Sequence, residues 1–152
     1  MQPVEELRYL ILAAQREGNR MLAEALRPLN LTPSQAEVLR VMQDHQPLSL
    51  VALGELLICE TGSPSRLVNG MVEAGLIERA IAPANRRMVT LTLSAQGRQK
   101  AEHVRSIEES MYQVILQSLP PGASLTALND LLWNFIADRP SGAALARRTN
   151  RS

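Results

Sequence analysis

Two adjacent arginines, Arg86 and Arg87, occupy a short segment whose flanks have the pattern of a β-hairpin. After them, Val89, Leu91 and Leu93 alternate with residues of the opposite face, which is the periodicity of a strand. Arginines on a projecting turn can enter the minor groove of DNA, where the potential is most negative. The spacing therefore predicts a basic hairpin that contacts DNA through the two arginines at its tip.

A second group of polar side chains lies at the exposed start of a helix that the sequence predicts from Ser63 onward. Side chains in this position can reach base edges and phosphates. The expected DNA contacts here are Thr61, Ser63, Ser65, Arg66 and Asn69. Arg66 is the candidate for reading a base, because a guanidinium can pair bidentately with guanine. Contact with a phosphate is the alternative role for Arg66.

No catalytic or metal-binding pattern accompanies these residues. His45 and His103 lie on different predicted helices, and no metal-ligand or nucleophile motif surrounds either of them. The pair Glu108-Glu109 fits a solvated helix face better than acid–base or metal chemistry. We therefore expect no enzymatic activity, no metal and no cofactor.

The single cysteine, Cys59, excludes an intrachain disulfide and fits a reducing compartment. It lies beside the turn before the helix at Ser63, and a helix N-terminus can lower the pKa of a thiol. Redox sensing is one hypothesis for Cys59. The favoured alternative is a small, buried apolar residue.

Composition and charge place these residues in the basic middle of one helical domain, or of a small domain with helical extensions. The chain has 152 residues, 45% of them hydrophobic and only 3% aromatic, which predicts an aliphatic core. Residues 1–60 carry five arginines and eight acidic residues, whereas residues 61–100 carry six basic and two acidic residues. Positive charge thus collects where the DNA contacts are expected. The start of the chain has no signal-peptide pattern, and we expect a cytoplasmic protein.

The elements that must hold these side chains can be predicted from apolar periodicity and helix caps. Amphipathic patterns predict helices over residues 4–26, 94–119 and 123–137. Thr32 and Gln35 form a capping box for a helix that ends near His45. A short strand at 48–50, a compact helix at 51–57 and the helix from Ser63 to Gly75 follow. Two short helices joined by a tight turn are typical of a helix-turn-helix.

The chain resembles the MarR family of bacterial transcription regulators over residues 31–97, and its flanking helices match the family more loosely in length and order. The residues that carry the resemblance are Leu31, Thr32, Gln35, Val38 and Leu39, then Leu48-Ser49-Leu50, Ser65-Arg66-Leu67-Val68, Gly75-Leu76-Ile77 with Arg79, Asn85-Arg86-Arg87, and Leu93-Ser94 with Gly97.

The resemblance implies a mainly α fold with a β wing: a winged helix-turn-helix between N- and C-terminal dimerisation helices. It divides the chain into an N-terminal dimerisation helix (1–30), a DNA-binding domain (31–97), C-terminal dimerisation helices (98–140) and a mobile basic tail (141–152). It implies a homodimer that acts, most often as a repressor, on a palindromic operator in double-stranded DNA. It also implies a response to a small phenolic or lipophilic effector, or to an oxidant, although oxidant sensors of the family usually carry a cysteine in the first helix and this chain has none there.

Three positions depart from the family pattern. The wing motif usually begins with Asp, whereas this chain has Asn85, and Gly70 stands where the recognition helix often has Arg. Asn85 lacks the negative charge that would orient a nearby arginine, and Gly70 lacks the cationic side chain that would contact phosphates or bases. Ser94 replaces Thr as a helix cap, which is a neutral exchange. The first two departures motivate an alternative function: a winged-helix protein-interaction module that has lost specific DNA binding.

Overall fold

The computed structural model describes residues 1–59 and 62–149, and it is mainly helical with one two-stranded antiparallel hairpin. The helices and strands are α1 (Pro3–Leu26), a 3-10 turn (Arg27–Leu29), α2 (Pro33–His45), α3 (Leu50–Gly54), α4 (Pro64–Glu73), β1 (Ile77–Ala82), β2 (Asn85–Leu93), α5 (Ala95–Gln117), α6 (Leu125–Ile136) and α7 (Pro140–Thr149). The predicted fold class, a winged helix-turn-helix with long terminal helices, is confirmed. Among the described helices, none has both the length and the apolar content needed to cross a bilayer.

Side-chain caps begin three of these helices where the sequence predicts them. The Gln35 amide donates to Thr32 Oγ1 at 3.3 Å, and the Thr32 amide donates to Gln35 Oε1 at 2.9 Å, which completes the capping box of α2. The Ser63 hydroxyl accepts from the Arg66 amide at 3.4 Å at the start of α4. Ser94 Oγ accepts from the Gly97 amide at 2.9 Å at the start of α5. Each cap satisfies an amide that the first helical turn leaves without a partner.

One aliphatic core joins α2, α3, α4, the base of the hairpin and the first half of α5. Its fully buried side chains include Val38, Leu39, Met42, Leu53, Val68, Met71, Ile77, Leu91, Leu93 and Val104. The strand expected at 48–50 is a single bridge between Leu48 and Leu91. The helix expected at 51–57 is shorter, since α3 ends at Gly54, although Leu56 and Leu57 remain buried.

The hairpin pairs regularly at its base and irregularly near its tip. Ile77 lies opposite Leu93, and the pairing continues without a break to Ile81 opposite Val89. The register then shifts, because Ala82 lies opposite Asn85. Residues 86–88 therefore form a bulge in β2 just after the turn. Before β1, Gly75 has a φ of 73°, a left-handed conformation that glycine adopts without strain and that ends α4 as predicted.

The terminal helices bury little of their apolar surface. Leu26 is the only buried residue of α1, and α6 has none. Exposed apolar side chains line both helices and the second half of α5; they include Val4, Leu10, Ile115, Leu131 and Phe135.

The C-terminal segment differs from the mobile basic tail expected at 141–152. Residues Pro140–Thr149 form α7, and 150–152 lie outside the described residues. Gly142 permits this helix, because a Cβ there would lie 2.0 Å from the Ile136 carbonyl oxygen at the end of α6. The Arg148 guanidinium also donates to Glu37 Oε1 at 2.8 Å. The sequence analysis missed both contacts, since they depend on how distant elements pack.

The start of α5 leaves no room for a side chain at Gly97, and this generates a stability prediction. A Cβ on Gly97 would lie 2.1 Å from the Leu76 carbonyl oxygen, so Gly97→Ala is expected to lower the free energy of unfolding by about 1–3 kcal/mol. Gly70→Ala is the matched control, because a Cβ there meets nothing within 4 Å. In a helix interior, that change should raise stability by up to about 1 kcal/mol. Urea unfolding followed by circular dichroism measures both, and equal changes of one sign would contradict the close contact.

Candidate nucleic-acid interface

Helix α4 has one face in the core and one face in solvent. Val68 and Met71 are fully buried, and they fix the rotation of the helix about its axis. The side chains of Ser63, Ser65, Arg66 and Asn69, all predicted to contact DNA, are exposed. Thr61, the remaining candidate of this group, lies outside the described residues. The arrangement presents a short polar face on which the Arg66 guanidinium has no ion-pair partner among the described residues.

Asn69 is held by a residue of the hairpin that the sequence analysis did not select. The Arg79 guanidinium of β1 donates a hydrogen bond to Asn69 Oδ1. Both residues are exposed, so the contact joins the solvent faces of α4 and β1. Arg79 is part of the family pattern, but no sequence signal places it beside Asn69. The structure therefore adds Arg79 to the candidate interface.

The tip of the hairpin exposes both predicted arginines. The turn itself is Pro83-Ala84, and Arg86 and Arg87 follow it in the bulged start of β2. Asn85 Oδ1 accepts from the Arg87 amide at 3.1 Å, so Asn85 retains the turn-forming role that an Asp would have. Within the described residues, neither guanidinium has an ion-pair partner. Both side chains are therefore available to a phosphate.

The turn that leads from α3 to α4 is supported by a buried carboxylate. Glu37 of α2 accepts from the Ile58 amide at 2.8 Å and from the Cys59 amide at 2.7 Å. Its side chain is 8% exposed and forms an ion pair with Arg148. These contacts fix the turn from its interior side, where the Glu37 side chain is buried.

Cys59 does not have the lowered pKa that proximity to a helix N-terminus suggested. Desolvation by its surroundings, followed by the charge and hydrogen bond of Glu37, raises the pKa of the thiol to about 11. The residue is also exposed, which corrects the expectation that it is buried. A thiol in this environment stays protonated at neutral pH, and the thiolate is the reactive form.

The remaining titratable candidates do not assemble into a site. Among residues 1–59 and 62–149, no group of three or more His, Cys, Asp or Glu side chains could hold a metal ion. Glu108 is not on a solvated face as expected, because it accepts from Arg40 at 2.9 Å in a contact that leaves its side chain 21% exposed. This ion pair joins α2 to α5 and has a structural role.

The raised pKa predicts how Cys59 reacts with alkylating reagents. The rate with iodoacetamide should rise about tenfold per pH unit up to a pH near 11, because only the thiolate reacts. The same protein in urea is the control, and its rate should level off near the ordinary thiol pKa of about 8.5. A profile of the folded protein that levels off at or below pH 8.5 would contradict the assigned environment.

Comparisons with known proteins agree with this geometry. A family model described as a winged helix DNA-binding domain matches residues 31–97. A curated relative, an organic hydroperoxide resistance transcriptional regulator of Bacillus subtilis, is 26% identical over 131 residues, which cover 86% of this chain and 87% of the relative.

Solved structures extend the likeness to the terminal helices. A cysteine-to-serine variant of MarR from E. coli, complexed with operator DNA, has a TM-score of 0.76 and 25% identity over 88% of this chain and 95% of that chain. The fold is also that of BpsR from Bordetella bronchiseptica, whose DNA binding is regulated by 6-hydroxynicotinic acid. That match has a TM-score of 0.76 and 22% identity, and covers 91% of this chain and 99% of that one. In its order of elements, its exposed helix α4 and its basic hairpin, the chain is similar to the MarR family of DNA-binding transcription regulators, and its residues 31–97 match a winged helix DNA-binding domain.

Proposed function

We propose that the protein is a homodimeric repressor that binds a palindromic operator and is released by a small ligand. The observation that carries the proposal is the hydrogen bond between Arg79 and Asn69. It joins the exposed face of α4 to the basic hairpin, so that helix and wing present one continuous polar surface. The operator complex of the similar E. coli protein supports the same use of this surface.

Each part of this surface has a distinct role in the proposal. Ser63, Ser65, Arg66 and Asn69 enter the major groove from the start of α4, with Arg66 as the base-reading residue. Arg86 and Arg87 contact phosphates or the adjacent minor groove from the wing. The excess of six basic over two acidic residues in 61–100 supplies the electrostatic attraction to the duplex.

The dimer follows from apolar surface that one chain leaves uncovered. Val4 is 74% exposed, Leu10 is 59% exposed and Phe135 is 63% exposed. Helices α1 and α6 enclose an apolar groove of about 730 Å³. Contiguous apolar surface of this kind marks an interface, and a two-fold partner would cover the same groove on both chains. A two-fold dimer presents two symmetry-related copies of α4, one for each half of a palindromic site.

The effector site that we propose lies beside these helices. An apolar cleft of about 460 Å³ separates α1 from α5, and its lining includes Met21, Ile107 and Met111. That volume is within the range of small-molecule sites. A small aromatic or lipophilic molecule suits the lining. Its binding would change how α1 and α5 pack, and both helices contribute to the proposed dimer interface.

Variants of the recognition helix α4 and of the wing should distinguish a contact with a base from a contact with a phosphate. Arg66→Ala is expected to cost about 1–3 kcal/mol on the operator and much less on a scrambled duplex, because a base contact is lost. Arg86→Ala and Arg87→Ala should weaken binding to both duplexes and reduce the salt slope by about one unit per phosphate contact. Titrations of the duplex upstream of the gene, at several salt concentrations, measure both effects.

The same titration tests the alternative function. If the unmodified protein binds the upstream and scrambled duplexes equally, specific regulation is wrong and the protein-interaction module is favoured. If Arg66→Ala loses equal affinity for both duplexes, Arg66 contacts a phosphate.

Substitutions in the terminal helices should break the dimer. Leu10→Glu and Phe135→Glu each place a charge in the apolar surface, and burying an unpaired charge between subunits is costly. Sedimentation should show a dimer for the unmodified protein and a shift toward monomer for both variants. Val51→Glu is the matched control, because Val51 is 74% exposed on α3, outside the terminal helices. A monomeric unmodified protein, or dimeric Leu10→Glu and Phe135→Glu variants, would contradict the proposed interface.

A further inference from the structure

The carboxylate of Glu37 connects three parts of the chain that are distant in sequence. It lies on α2, and its two oxygens accept from the Ile58 amide, the Cys59 amide and the Arg148 guanidinium at 2.7–2.8 Å. A buried carboxylate is stable only when it is paired and hydrogen-bonded. With three donors, Glu37 meets that condition, and the orientation of its carboxylate is fixed by all of them together.

The charged partner of Glu37 comes from the C-terminal helix. Arg148 lies 111 positions away in the sequence, near the end of α7. Helix α7 is itself fixed to the end of α6 through the close approach at Gly142, and Ala144 is buried. Arg147 adds a hydrogen bond at 3.4 Å to the Glu55 carbonyl just after α3. A continuous set of contacts therefore runs from α6 through α7 and Glu37 to the turn before α4.

We propose that Arg148 is a positioning residue for DNA binding, which holds the Glu37 carboxylate against the Ile58 and Cys59 amides and so sets the position of the recognition helix. The guanidinium acts through Glu37 and not on DNA, since its hydrogen bond is made to a side chain that is 8% exposed. The effect on operator affinity rests on the function proposed above, whereas the effect on the turn does not.

The position of the turn matters because α4 begins only a few residues after it. Ser63, the cap of α4, follows Cys59 by four positions, and Ser65 and Arg66 lie in the first turn of the helix. A carboxylate that loses its cation can rotate away from the amides or take up water. Either change frees the two amides and lets the start of α4 shift. Small shifts of a recognition helix reduce its affinity for DNA, because contacts with bases require aligned hydrogen-bond donors and acceptors.

The first experiment measures the turn without DNA. In Arg148→Gln, amide hydrogen exchange at Ile58 and Cys59 should accelerate at least tenfold, and exchange in the core of α5 should not change. Arg148→Lys keeps the charge and should restore most of the protection. Arg105→Gln is the matched control, because it also removes one arginine from an ion pair, but from an exposed pair within α5.

The second experiment measures operator binding at a temperature where every variant is folded. Arg148→Gln should lose at least tenfold in affinity with an unchanged salt slope, Arg148→Lys should recover most of the loss, and Arg105→Gln should bind as the unmodified protein does. A salt slope that falls by about one unit would mean that Arg148 contacts a phosphate itself, which overturns the proposal.

The two experiments separate this inference from the proposed function. Unchanged exchange at Ile58 and Cys59 in Arg148→Gln overturns the positioning role, whatever the affinity for DNA. If the unmodified protein has no preferred duplex, the regulatory function fails, and the exchange measurement alone decides whether Arg148 holds the turn. If Arg148→Gln does not fold, Arg148→Lys remains informative. Lysine keeps the charge but not the reach and planar geometry of the guanidinium, so Ile58 and Cys59 should be measurably less protected than in the unmodified protein, by less than tenfold, and equal protection overturns the proposal.

Discussion

The burial of Val68 and Met71 fixes which side of α4 meets solvent. A helix of ten residues is too short to be stable alone in water, so its place is set by tertiary contacts. Both side chains are inaccessible to solvent and belong to the core shared with α2 and the hairpin. Because these contacts determine the rotation of the helix, Arg66 and Asn69 must face outward. The chemistry of the candidate interface is therefore a consequence of apolar packing behind it.

The hairpin follows the same logic, since its base is anchored and its tip is free. Leu91 and Leu93 are buried, and the Leu93 amide donates to Gln46 Oε1 at 2.7 Å. Toward the tip the regular pairing ends, and Arg86 and Arg87 project without ion-pair partners among the described residues. Neighbouring positive charges in solvent repel weakly because water and salt screen them. Next to a polyanion such as DNA, the same charges are attracted to the phosphates, so an exposed cationic tip favours binding to DNA.

Local interactions made much of this structure predictable from the sequence. Thr32, Ser63 and Ser94 cap the helices that follow them because each cap involves residues only three positions apart. Strand periodicity located the hairpin, and amphipathic periodicity located α1, α5 and α6.

What the sequence analysis missed depends on packing between distant elements. Helix α7 needs the close approach of Gly142 to α6 and the pairing of Arg148 with Glu37. The contact between Arg79 and Asn69 needs the angle between α4 and the hairpin. For Cys59, the sequence showed a nearby helix N-terminus, but not the desolvation of the thiol or the carboxylate of Glu37, both of which raise the thiol pKa. In the proposed dimer, such long-range contacts decide how the two copies of α4 are spaced.

The first half of α5 contributes Val104 to the core, whereas its second half exposes Val114 and Ile115. One helix thus belongs to both the core that supports α4 and the proposed subunit interface, with no break in the helix between them. In the proposed dimer, a ligand that changes the packing of α5 would then move both copies of α4, whose separation has to match half-sites about 34 Å apart on the duplex.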